Sequence, residues 1–211
     1  MTRTANLPRR KALLALVALG SIPALQGCFP AAVTVAGAGA VMIADRRTSG
    51  AYVEDEGIEW RTRNRLRQRF GDSINVAVTS YNRNVLLTGQ VPSAQVAAEV
   101  EREARAITNV NGVISEVVVG GLSTLSSRAS DAVTTSQVKA RFVDDQNFSA
   151  HHVKVVTEAG TVFLMGLVTR READAATEVA RTTAGVRKVV RVFEYISDEE
   201  ARRLDARIGE R

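Results

Sequence analysis

Two histidines stand in the 211 residues, His151 and His152, and they are adjacent. A shared metal ion needs ligands spaced so that both rings converge, and no cysteine lies near to complete a zinc set. The pair reads as a polar loop ahead of a strand. Asp144-Asp145 has no base positioned beside it, so general acid–base hydrolysis lacks a partner group. Gly37 and Gly39 sit in an apolar segment, not between a strand and a helix, which excludes a phosphate-binding fingerprint. Gly89 and Gly166 fall inside strand patterns, where glycine marks a bulge or a close helix crossing. No residue set points to catalysis, a metal or a cofactor, and the expectation is a protein that is not an enzyme.

The single cysteine, Cys28, is the exception in chemical interest. Arg9-Arg10-Lys11 precede the apolar run from Ala12 to Leu25, and Leu25-Gln26-Gly27-Cys28 follows. This is the pattern of a secretory signal peptide over 1–27. Its end resembles the bacterial lipobox, in which the cysteine is lipidated and heads the mature chain. Phe29, rather than Asp, follows it, which implies retention in the outer membrane, facing the periplasm. The same segment accounts for the basic balance. Of 28 basic residues, four (Arg3, Arg9, Arg10, Lys11) precede Cys28 and no acid does, leaving 24 basic against 23 acidic residues from there on. The global argument for nucleic acid collapses. Residues 28–53 read as the lipidated cysteine and a Gly/Ala-rich tether, with folded sequence starting near Glu54. A domain without further cysteines must be held by its core.

Beyond the tether the chain repeats itself. Asn84–Val91 matches Thr161–Val168 at an offset of 77, as do Val76/Val78 and Val153/Val155. Leu66 and Phe70 pair with Val138 and Phe142 at 72, which implies five extra residues between the first helix and first strand of copy two. Each copy shows a helical stripe (Ile58, Thr62, Leu66, Phe70; Thr134, Val138, Phe142) and a hairpin turning at Asn82-Arg83-Asn84 or Ala159-Gly160. A second stripe (Val96, Val100, Ala104, Ile107; Ala173, Thr177, Ala180) and a last strand follow. The order αββαβ predicts an α+β fold: per copy, a three-stranded mixed sheet with both helices on one face. The expected divisions are 54–121, a Ser-rich linker 122–129, 130–196, and a charged tail 197–211.

The V-x-L-x-G-x-V strand and the Asn109-Val110 and Gly185-Val186 steps before each last strand resemble the BON domain. The tandem arrangement behind a lipobox, together with Tyr52–Gly57 and Val162–Ala173, is similar to the dual-BON outer-membrane lipoproteins. That resemblance implies an envelope-integrity protein whose second BON domain binds anionic phospholipid.

Helical projection shows what could do so. With Val138 at the centre of the core face, Val133, Ser136, Ala140 and Val143 fall at about 140–220°, a partly apolar outer face flanked by Lys139 and Arg141. Small apolar groups among acyl chains, with cations at the phosphates, suit a membrane surface; packing against the other domain is the competing reading. Membrane-contacting surfaces favour Trp or Tyr, and Val133 stands there instead, which implies weak intrinsic affinity. The first helix of copy one carries Arg61, Arg63, Arg65, Arg67 and Arg69 around its stripe. With Trp60 it is either a solvated face or a second anionic surface, with Trp60, Arg61, Arg65 and Arg67 as its contacts. The alternative function is a protein-interaction module that recruits cell-wall or outer-membrane assembly factors.

Overall fold

The computed structural model describes residues 45–121 and 123–209; Cys28 and the signal segment lie outside the described residues. Helix α1 spans Ser49–Phe70, with Thr48 as its N-cap accepting from the Ala51 amide. Strands β1 (Asn75–Tyr81) and β2 (Asn84–Val91), helix α2 (Ala94–Arg105) and strand β3 (Gly112–Val119) complete the first domain. The second repeats this order as α3 (Leu125–Asp144), β4 (Val153–Glu158), β5 (Thr161–Val168), α4 (Arg170–Arg181) and β6 (Lys188–Tyr195), followed by α5 (Asp198–Gly209). Each sheet is ordered β1-β2-β3 or β4-β5-β6, with the hairpin antiparallel and the last pair parallel. No described helix is long and apolar enough to cross a membrane.

The central strands are buried on both faces. In β2, Val85, Leu87 and Val91 pack on the first domain's own helices; in β5, Val162, Leu164 and Val168 do the same in the second. The intervening Leu86, Phe163, Met165 and Leu167, with Tyr81, form a third cluster that joins the two sheets. Strand alternation explains this: odd and even positions point to opposite faces, so a continuous apolar run serves two cores. Lys154 Nζ to Glu59 Oε1 (3.0 Å) and the Ser80 carbonyl (3.1 Å), Gln90 to Glu158 (2.6 Å) and Asn82 to Glu194 (2.8 Å) edge the apolar seam.

One buried aspartate organises each hairpin. Asp55 accepts from the amides of Asn82 (2.8 Å) and Arg83 (2.7 Å), and Asp131 from those of Ala159 and Gly160 (both 2.8 Å). All four turn residues have positive φ, as a two-residue turn matched to strand twist requires. For Arg83 and Ala159 that conformation is disfavoured, and the carboxylates hold it.

These aspartates also correct the repeat alignment. Asp55, Ile58, Thr62 and Leu66 are buried in α1, and Asp131, Thr134, Val138 and Phe142 in α3, all at an offset of 76 rather than 72. A stripe recurring every four residues matches itself after a four-residue slip, which is why the stripe alone misaligned the helices. Between the aligned helix and strand positions copy two has one extra residue, not five. Gly89 and Gly166 mark close strand approach instead of a helix crossing: a Cβ there would lie 2.0 Å from the Asn75 carbonyl oxygen and 2.3 Å from that of His152.

The chain before Glu54 is not all tether. Helix α1 begins five residues earlier, and Asp45, Arg46 and Arg47 are buried. Likewise α3 starts at Leu125, inside the expected linker, and the tail docks as α5 with Ala201 buried.

Candidate functional site

Arg46 and Arg47 reach in different directions. Arg46 donates to both Glu172 oxygens (2.8 and 2.9 Å), to both Asp205 oxygens (2.8 Å) and to the Leu167 carbonyl (2.9 Å), binding the second domain and α5. Arg47 donates to Asp45 (2.7 Å) and Asp55 (2.8 Å), and its guanidinium lies 4.1 Å from the Tyr81 ring centre and 4.8 Å from that of Tyr52. Burial works against both charges. The carboxylates Asp205 and Glu172 around Arg46, and Asp45 and Asp55 around Arg47, more than offset it, so both stay ionised well above the usual arginine range. Burial disfavours the Glu172 carboxylate too, but hydrogen bonds from Arg46 and from the Thr169 backbone outweigh it and hold its pKa below the ordinary value. Thr169 and Glu172 form a reciprocal capping box at the start of α4.

His152 is buried, not part of a polar loop. Its Nε2 lies 3.7 Å from Asp205, its Nδ1 has no partner among the described residues, and burial next to Arg46 pushes its pKa down. His151 stays exposed. The reason is topological: a 3-10 turn over Ala150–His152 delivers the second histidine beneath α5 just as β4 begins. Among the described residues, no cluster of three or more His, Cys, Asp or Glu side chains could hold a metal.

Helix α3 presents the expected outer face. Val133 and Val143 are 57% and 73% exposed, and Ser136, Lys139 and Ala140 are exposed with them. Ser136 turns its hydroxyl back onto the Ala132 carbonyl (2.9 Å), which removes a free donor from the strip. Val133, Ser136 and Ala140 line one shallow depression with Ala132 and Gln137. Lys139 and Val143 instead border a cleft of about 450 Å³ between the domains, opposite Tyr52 and Glu56. Lys139 forms no ion pair among the described residues. Arg141 does not flank the strip: it donates to the Val179 carbonyl (2.9 Å) and to Thr182 and Thr183, where a cation satisfies the last carbonyls of α4.

The arginines of α1 are mostly spoken for. Arg61 pairs with Glu54 (2.6 Å), Arg63 with Glu59 (3.7 Å), Arg65 with Glu103, and Arg69 with Glu103 (2.6 Å) and Glu99 (3.3 Å). Arg65 and Arg69 are one turn apart on α1, as Glu99 and Glu103 are on α2, so the two helices meet through a charge ladder. The Arg65 hydrogen bond holds the Glu103 carboxyl below its usual range. Of the expected second anionic surface only Arg67 is exposed without an ion pair among the described residues. Trp60, 62% exposed, lines a groove built wholly from the first domain.

The sheets, hairpins and tandem order define a class of small α+β modules, and comparison with known proteins gives that class its name. Residues 55–121 and 130–197 each match the BON domain, and the chain belongs to the BON family. It is 35% identical over 182 residues to the Outer membrane lipoprotein DolP of Haemophilus influenzae, covering 85% of this chain and 94% of that one. It is 32% identical over 154 residues to a 21 kDa hemolysin of Actinobacillus pleuropneumoniae, covering 72% and 79%. It is 31% identical over 120 residues to the Osmotically-inducible protein Y of Escherichia coli, covering 56% and 60%. The protein is an envelope protein of the outer membrane, facing the periplasm.

Proposed function

We propose that the protein is held to the outer membrane by lipid on Cys28, binds anionic phospholipid through α3 of its second BON domain, and thereby supports outer-membrane integrity. The supporting observation is a contrast between the equivalent helices. Helix α3 leaves Val133 and Val143 exposed beside Lys139, which has no ion pair among the described residues, whereas four of the five α1 arginines already meet carboxylates. A free cation beside small apolar groups suits the boundary between headgroups and acyl chains; a neutralised arginine ladder does not attract an anionic surface. Lipidation of Cys28 rests on Leu25-Gln26-Gly27-Cys28 and on the similarity to DolP.

Flotation of residues 45–211 with vesicles of anionic or zwitterionic phospholipid tests the reading. Anionic vesicles alone should carry the protein upward, less so as salt rises. Equal flotation with both, or with neither, overturns it in favour of a protein partner on α3.

A further inference from the structure

Trp60 is the chain's sole tryptophan and is 62% exposed on α1. A groove of about 430 Å³ runs beside it. Asn64 and Gln68 follow one and two helical turns on, and Ile107 and Thr108, in the loop after α2, form the opposite wall. Arg61 and Arg65 lie between.

The electrostatics of this groove narrow what it can take. Both arginines are paired with carboxylates, Arg61 with Glu54 and Arg65 with Glu103, so the groove offers guanidinium donors without a large net positive charge. A phosphate would find its counter-charge already used. The amides of Asn64 and Gln68 carry no hydrogen bond to another described residue, leaving donors and acceptors of both kinds available. Arg61 Nε is shielded and without an acceptor among the described residues. A flat indole face rimmed by uncommitted amides complements a ligand with an apolar face and hydroxyls at its edge, which is the chemistry of a sugar ring. Only Ile107 and Ala106 supply aliphatic surface, too little for the anchor pocket of a protein hot spot. On the periplasmic side of the outer membrane, the saccharide polymer within reach is the cell-wall glycan strand.

We propose that the Trp60 groove is a saccharide-binding site for the neutral amino-sugar rings of cell-wall glycan, with Trp60 as stacking platform and Asn64 and Gln68 as partners of ring hydroxyls. It is independent of the α3 surface.

Because Trp60 is the only tryptophan, intrinsic fluorescence reports this site alone. The full-length protein, in a detergent without a sugar headgroup, is titrated with an N-acetylglucosamine tetrasaccharide and sedimented with purified peptidoglycan sacculi. A saturable change in Trp60 emission and co-sedimentation are expected. Trp60→Ala should lower co-sedimentation about tenfold, the loss typical of a stacked aromatic contact. Its circular dichroism and vesicle flotation should match the parent, and Asn64→Ala with Gln68→Ala should weaken sedimentation while leaving Trp60 to report. Overturning results are an unchanged emission spectrum with no Trp60-dependent sedimentation, emission that responds to anionic vesicles and not to the tetrasaccharide, or binding to lipopolysaccharide but not to sacculi.

Discussion

The guanidinium of Arg46 meets Glu172 through two parallel hydrogen bonds of 2.8 and 2.9 Å, although 126 residues separate them. Glu172 simultaneously caps α4 through the Thr169 amide at 2.8 Å. One carboxylate therefore joins the chain ahead of α1 to the first turn of a helix in the other domain.

Removing that arginine leaves Glu172 buried beside an empty position. Breaking a buried pair from one side costs about 3–5 kcal/mol, so Arg46→Ala should lower the melting temperature sharply and free α5 as Asp205 loses its partner. Arg46→Lys should recover little, since an ammonium cannot make the paired contact. Thermal unfolding followed by circular dichroism measures both. A loss below about 1 kcal/mol, the level of a surface pair, would mean the contact is not formed.

Asp55 and Asp131 hold equivalent turns, but Asp55 also takes Arg47 and Ser80, so Asp131 isolates the turn's contribution. Asp131→Ala leaves two turn amides without an acceptor, at about 1–3 kcal/mol each if they stay dry, and hydrogen exchange at Ala159 and Gly160 should accelerate before that of β5. Equal exchange in parent and variant would show that the turn holds itself.

His152 predicts how stability responds to acid. Burial and the Arg46 charge depress its folded pKa, with Asp205, Glu172 and Asp45 acting in the opposite direction. The unfolded chain therefore takes up the proton first as pH falls below about 6.5. Stability is complete above that value and declines below it until the folded pKa is passed. The Glu172 carboxylate, depressed as well, adds a second decline that begins below its unfolded value of about 4.3. His152→Gln should flatten the melting temperature between about pH 7 and 5 and leave the lower decline in place. A parent curve already flat over that range would remove the first effect.

For the membrane, Val133→Asp and Lys139→Glu should each reduce flotation with anionic vesicles, whereas Arg65→Gln, which removes an already paired charge, should not. A basic residue at such a surface contributes about 1 kcal/mol, so Lys139→Glu should weaken binding by more than fivefold. These substitutions belong in the intact pair of domains. Separated, the domains would expose Leu86, Phe163 and Met165, and apolar adsorption would imitate lipid binding. Unchanged flotation of folded Val133→Asp and Lys139→Glu would assign α3 to something other than lipid.

Cys28→Ala should abolish incorporation of labelled fatty acid and leave the unprocessed chain. Persistent labelling would remove the lipobox reading.

How much of this was legible depended on whether the signal was local. Hairpins, helical stripes and tandem order are written in short-range periodicity, and the sequence alone yields them. Asp55 and Asp131 were within reach, since each stands three residues before its stripe in both copies. The Glu99/Glu103 spacing opposite Arg65/Arg69 was similarly available. The unbroken run from Val162 to Val168 hints at burial on both faces, but an apolar run without alternation specifies a strand and not the second core it faces. Arg46 and Arg47 were not legible: two charges after an apolar segment look like a return to solvent, and their partners lie on elements as distant as α5. His152 differs from His151 only through the turn that places it.

Because the chain enters the folded body between the two domains, tension applied to the segment leading to Cys28 acts first on Arg46 and Arg47, not on the hydrogen-bonded ladder of either sheet. The line of force runs along the domain seam and reaches Glu172 on one side and Asp55 on the other. A load of this kind would be met by the Arg46 contacts to Glu172 and Asp205 and the Arg47 contact to Asp55 before it reached the apolar cluster that joins the sheets or either domain's own core.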